Sequence, residues 1–113
     1  ADDRIELEHI NPPHAPNSSP TDTALYRIIE QVVHRYNPQA VITPALIGGY
    51  TENNLYRPFG IICYGFSPVE MGPEHDASQH TANERLPVEQ FRRGVKVLYE
   101  VVARTAAGAS EAK

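Results

Sequence analysis

Only one cysteine, Cys63, occurs in the chain, so no internal disulfide can form. A lone thiol leans toward a reducing compartment such as the cytoplasm. No apolar run approaches the ~20 residues that a membrane-spanning helix needs, so no membrane is expected as a partner. The start, Ala1-Asp2-Asp3-Arg4, lacks the basic and apolar regions of a signal peptide. The 10 basic residues form no cluster and are outnumbered by 14 acidic ones, giving a net charge of -4, so no nucleic acid is expected either. A serine-hydrolase elbow, a Walker loop, a paired-cysteine zinc motif and a helical His-Glu-x-x-His motif are all missing.

What is present suits one modest globular core: 113 residues, of which 41% are apolar. Arg4 to Ile10 alternates, with Ile5, Leu7 and His9 on one side and Glu6 and Glu8 on the other, and reads as a half-buried strand. Asn11 to Pro20 is rich in proline and reads as a linker. Ser19-Pro20-Thr21-Asp22 predicts a helix start, with Ser19 as cap, Pro20 in the first turn and Asp22 completing a capping box. Leu25, Ile28, Ile29, Val32, Val33 and Tyr36 follow at helical spacing, and Asn37-Pro38 ends the helix. Ala40 to Ile47 predicts a strand leading into Gly48-Gly49. Thr51 to Arg57 predicts a helical turn stopped by Pro58, and residues 60–66 a buried strand. Ser67 to Asn83 is a long polar loop. Val88, Phe91, Val95, Leu98 and Val102 then predict an amphipathic helix to about Thr105, before a frayed tail from Gly108 to Lys113. Strand, helix, strand, strand and helix in this order predict an α/β fold, a sheet flanked by helices.

The long loop holds the densest chemistry: Glu74, His75, Asp76, His80, Asn83 and Glu84. Imidazole and carboxylate are the usual ligands of catalytic zinc, and a loop after a buried strand is a good place to present them. The bland alternative is a solvated polar loop. Gly48-Gly49 suits a tight turn, or a backbone that approaches a substrate closely. Arg57 suits a bidentate grip on a carboxylate, or the ordinary surface. His9, His14 and His34 read as structural or solvated histidines, and Cys63 as an inert buried thiol.

The order of these segments carries a resemblance. VITPALIGGY (41–50) runs into TENNLYR (51–57), then into GIICYGFSP, the long loop, and HTANERLPVEQFRRGVKVLYEVV. This resembles the end of the catalytic domain in the di-zinc peptidase family that includes carboxypeptidase G, yeast carboxypeptidase S, aminoacylase and succinyl-diaminopimelate desuccinylase. There a Gly-Gly-x-Thr-Asp segment precedes a strand, and a His-x-x-Asn-Glu motif opens the last helix. The stretch IELEHINPPHAPNSSPTDTALYRIIEQVV resembles the exit from that family's lid domain. The match spans roughly Ile5 to Val102, with His80-Thr81-Ala82-Asn83-Glu84 its most specific part. The resemblance divides the chain into the end of a lid domain and a linker (1–20), the carboxy-terminal part of a catalytic domain (21–107) and a tail (108–113).

The resemblance implies that His80 ligates one of two zinc ions. Asn83 and Glu84 would be helix-opening residues that support it, and Gly48, Gly49 and Arg57 would line the substrate site. Glu52 stands where the family usually has Asp. The remaining ligands and the general base would lie upstream, so no catalytic residue is expected here. The implied function is that of a piece of a zinc metallohydrolase, of carboxypeptidase, aminoacylase or deacylase type. It would cleave amide or peptide bonds with a metal-activated water, on a small peptide or N-acyl amino acid substrate. The chain alone would be inactive. It would expose apolar surface where neighbouring strands should pack, and so self-associate, a homodimer being one form. The alternative is a non-catalytic α/β binding or interaction module that keeps the family fold. A third reading is a small regulatory ligand-binding domain with the loop around His75 as a sensor.

Overall fold

The computed structural model describes residues 4–6, 8, 15–46, 49–76 and 78–111. Residues 7, 9 and 10 of the strand expected over 4–10 lie outside them, His9 among these, as does His14. Two compact units are present: residues 1–19 with 47–64, and residues 20–46 with 65–113.

The second unit is built on two helices, α1 (Ala24–Tyr36) and, near the carboxy end, α4 (Val88–Glu111). Helix α1 starts later than the capping box predicts. Thr23, in extended geometry, is the cap, and its hydroxyl accepts the Tyr26 N–H at 3.1 Å. The Ser19 hydroxyl instead accepts the Cys63 N–H at 3.0 Å, a partner 44 residues away that local capping rules cannot see. The far end is as expected: Asn37 is the C-cap and its N–H returns to the Val33 carbonyl. His34 has the structural role read from its position, with Nε2 3.0 Å from the Ala40 carbonyl oxygen.

Helix α4 overruns the expected tail and continues through Gly108 to Glu111. Its last turns are rich in alanine, the best helix former, and that outweighs the ~1 kcal/mol cost of one glycine. Ile29 and Val32 of α1 are buried, as are Val97 and Val101 of α4, and the two helices pack on each other. Each fully buried side chain of this size contributes roughly 1.5–3 kcal/mol. Polar contacts flank the seam. The Arg35 guanidinium meets Glu100 at 2.8 Å and Arg104 meets the same carboxylate at 2.6 Å. Burial pushes the Glu100 carboxyl up, but the hydrogen bond and charge of Arg35, the charge of Arg104 and a Tyr36 hydrogen bond outweigh it, and the group titrates below its ordinary value.

Residues 68–70 are pinned to these helices. An added Cβ at Gly94 would lie 2.7 Å from Val69 Cγ2 and 3.3 Å from the Pro68 carbonyl oxygen, so only glycine lets the 68–69 backbone come this close. Beside it, Arg93 donates to the Tyr36 carbonyl at 2.7 Å and pairs with Glu70 at 3.2 Å. The loop leading to His80 is thereby fastened to both helices. That loop is not wholly irregular, since Pro73–Asp76 forms a short helix, α3.

In the first unit, Asn53–Tyr56 forms a short helix, α2, which runs into a 3-10 turn at Arg57–Phe59. Pro58 does not stop the helical path. It sits in the first turn of the 3-10 segment, where a missing N–H costs nothing. Gly60 closes that turn with φ 79, a left-handed conformation that glycine adopts freely.

No strand occurs among the described residues. Val41 is 89% exposed and Leu46 96% exposed, and Ile61 and Ile62 are exposed too. Cys63 is half-buried rather than buried, with Sγ 3.6 Å from the Ile61 carbonyl. A strand needs a neighbouring strand to take its N–H and C=O groups in a ladder, and these segments are paired with no other strand among the described residues. No described helix is long and apolar enough to cross a membrane.

Candidate functional site

The His80 turn follows α3 directly. The Ser78 N–H donates to the His75 carbonyl at 3.0 Å and its hydroxyl donates to the same oxygen at 2.6 Å. Thr81 donates twice to the Ser78 carbonyl, from its N–H at 3.1 Å and from its hydroxyl at 2.7 Å. The Glu84 N–H donates to the Thr81 carbonyl at 3.2 Å. Successive four-residue turns, each sharing an end residue with the next, thus fold the chain around His80. Helix α4 begins only at Val88, so His80 to Glu84 precedes the helix by a turn rather than opening it. Pro87 explains the offset: the residue before a proline is pushed out of the helical region, and the Pro87 carbonyl then accepts the Phe91 N–H at 2.9 Å as the helix starts.

His80 itself has φ 61, the single positive φ on a non-glycine residue among those described. For an L-residue this conformation costs roughly 1–2 kcal/mol. Histidine, asparagine and aspartate are the side chains found there most often, so the geometry suits the residue type. The residue is exposed, which leaves its imidazole accessible. Glu84 supports it, though not through the ring. Its Oε2 accepts the His80 backbone N–H at 3.3 Å. Asn83 is exposed within the same turn. His75 lies nearby in the chain, with Nδ1 3.6 Å from the Glu74 carboxylate.

The expected substrate-site residues sit in the first unit. Gly48 lies outside the described residues, and Gly49 forms an exposed bend. Arg57 ties two loops together. Its Nε and Nη2 donate to the Cys63 carbonyl at 3.2 and 2.9 Å, and its Nη1 donates to the Asn17 carbonyl and side-chain oxygen at 3.1 and 3.0 Å. That web holds residues 17, 57 and 63 in register. Sequence reading missed Ser78 and Thr81, although a serine and a threonine flanking a histidine within three residues are a legible turn signal.

Among the described residues, no three His, Cys, Asp or Glu side chains gather into a group able to hold a metal ion. One accessible imidazole on a tightly bonded turn fits a single ligand's share of a zinc site, the remainder having to come from elsewhere.

No protein-family model matches the chain, and no solved structure matches it. Curated relatives do. N-fatty-acyl-amino acid synthase/hydrolase PM20D1 of Bos taurus is 30% identical over 107 residues, which are 90% of this chain and 21% of that protein. PM20D1 of Homo sapiens is 29% identical over 107 residues, again 90% of this chain and 21% of the relative. PM20D1.1 of Danio rerio is 28% identical over 104 residues, 90% of this chain and 20% of the relative. These matches support the M20 peptidase family. They do not single out a subfamily within it. The chain spans about a fifth of the length of these relatives. Their names describe hydrolases and synthases, which supports an origin in an enzyme family.

Proposed function

We propose that this chain is the part of a zinc-dependent M20 amidohydrolase that supplies one metal ligand, His80, and one wall of the substrate site. The observation that carries the reading is the similarity to N-fatty-acyl-amino acid synthase/hydrolases across 90% of the chain. The order of motifs around His80 supports it, as does the strained, accessible turn on which His80 stands. The substrate class that follows is an N-acyl amino acid, with a fatty acyl group as the first candidate because of the relatives' names. Zinc, when bound, would supply Lewis-acid activation of the attacking water. This chain's residues would hold and orient: His80 donates an imidazole nitrogen, Glu84 fixes its backbone, and Gly48, Gly49 and Arg57 shape the substrate side. Segments 40–47 and 60–66 would pair as strands in a sheet completed by the rest of the enzyme.

The test is His80→Ala in the longest natural form of the protein. Zinc content falls by one ion per chain, and hydrolysis of an N-fatty-acyl amino acid falls by at least about 100-fold. Two zinc ions and full activity in the variant would remove His80 from the site.

A second reading, a non-catalytic binding or interaction module, has one observation on its side. Large apolar residues lie exposed at Val41, Leu46, Phe59, Tyr99 and elsewhere. On that reading neither zinc content nor turnover responds to His80, because the natural protein shows neither.

A further inference from the structure

Every residue from 79 to 86 is exposed, yet Ser78 at their head is only 7% exposed and is the one buried polar residue among those described. All of its polar atoms are engaged. Its N–H and hydroxyl both donate to the His75 carbonyl, and its carbonyl accepts both the N–H and the hydroxyl of Thr81. Its hydroxyl oxygen also accepts the Arg85 N–H at 3.4 Å. Ser78 therefore joins the chain before the turn to the chain on both sides of Glu84. Residues 79–86 contribute no buried side chain of their own. The buried apolar side chains of this unit lie between α1 and α4. What the bonds do hold is His80 at φ 61, with Glu84 taking its N–H. A strained backbone persists only where its surroundings over-determine it.

We infer that Ser78 is the positioning residue for His80: its carbonyl closes the turn that contains His80, its buried hydroxyl ties that turn back to the His75 carbonyl and on to the Arg85 N–H, and Glu84 takes the His80 N–H. The inference rests on His80 being a metal ligand, as proposed above. Residues that orient a ligand without touching the metal typically alter metal affinity about 10–100-fold when replaced.

The experiment uses the full-length natural protein. Zinc affinity is measured by competition with a chromophoric chelator, the cobalt-substituted absorption spectrum is recorded, and the melting temperature is taken on metal-free protein. Ser78→Ala weakens one zinc site by about 10–100-fold and shifts the cobalt bands, while the metal-free melting temperature stays within about 3 °C of wild type. Glu84→Ala weakens the same site by a smaller factor, and Glu84→Gln, which keeps an acceptor, restores it. Wild-type affinity and spectrum in Ser78→Ala overturn the inference. So does an affinity loss matched by a large fall in the metal-free melting temperature, which marks a structural role. If Ser78→Ala does not fold, the exposed Glu84 variants decide: unchanged affinity in Glu84→Ala overturns the hold on His80, and weakening rescued by Gln supports it. His80→Ala separates the two levels. Loss of one ion there, with Ser78→Ala unaffected, leaves the ligand standing and removes only the positioning. Retention of both ions removes the ligand and Ser78's role with it.

Discussion

The helix pair and the apolar segments 41–46 and 61–66 contain similar residues and have opposite fates. Ile29, Val32, Val97 and Val101 are buried between α1 and α4, while Val41, Leu46, Ile61 and Ile62 stand exposed. The difference lies in where each backbone finds its hydrogen bonds. A helix closes its own N–H to C=O bonds and needs a partner only for one face. A strand needs a partner for its backbone as well, and that partner is distant in sequence. Apolar content alone therefore does not decide burial.

The largest break in this comparison comes from the helix side. Val32 is fully buried, so Val32→Asp places an unpaired charge in the seam, and a loss of about 3–5 kcal/mol is expected, enough to abolish a cooperative melt followed by circular dichroism. Next is Gly94→Ala. Helix propensity favours alanine by up to ~1 kcal/mol, but the new Cβ meets stiff Val69 and the Pro68 backbone. Overpacking of this sort costs about 1–3 kcal/mol, so the net effect is a lower melting temperature. A higher one would show that the 68–69 loop lifts freely.

The Glu100 pair gives a smaller, pH-dependent effect. Its carboxyl titrates below the ordinary value of 4.5, so its contribution is complete above the unfolded value and is lost as pH falls through the lowered folded value. Melting temperature should fall as pH drops below 4.5, and Glu100→Gln should flatten that part of the profile. An unchanged profile would remove the Arg35 and Arg104 contacts as a stabilising pair.

The smallest effect sharpens the strand side. Leu46→Ser in this chain should change stability by less than about 0.5 kcal/mol, because Leu46 is 96% exposed. In a longer protein where the segment pairs in a sheet, the same change should cost about 2 kcal/mol or more. Equal, small losses in both would count against the proposed sheet.

Much of the candidate site is legible in the amino-acid sequence. The His-x-x-Asn-Glu spacing at 80–84 is local, and a turn of this length is set by nearest neighbours. Its support is less legible. Glu84 reads as a helix-opening residue that supports His80, and the bond it makes is to the His80 amide, while Ser78 stands out only through its burial. Arg57, which reads as either a carboxylate grip or an ordinary surface arginine, spends its guanidinium on Cys63 and Asn17. Those partners are 6 and 40 residues away, and no periodicity points to them.

By itself, then, the sequence determined the two long helices, their apolar faces and the stop at Asn37. Each depends on residues within a few positions of one another. Tertiary structure decided the rest: Thr23 rather than Ser19 as the cap, the close approach at Gly94, the buried hub at Ser78 and the left-handed His80. The loss of Ser19 to Cys63 and the close approach at Gly94 depend on groups distant in the sequence, whereas Thr23, Ser78 and His80 bond partners within seven positions, and it is burial and backbone geometry in the folded chain that select those bonds.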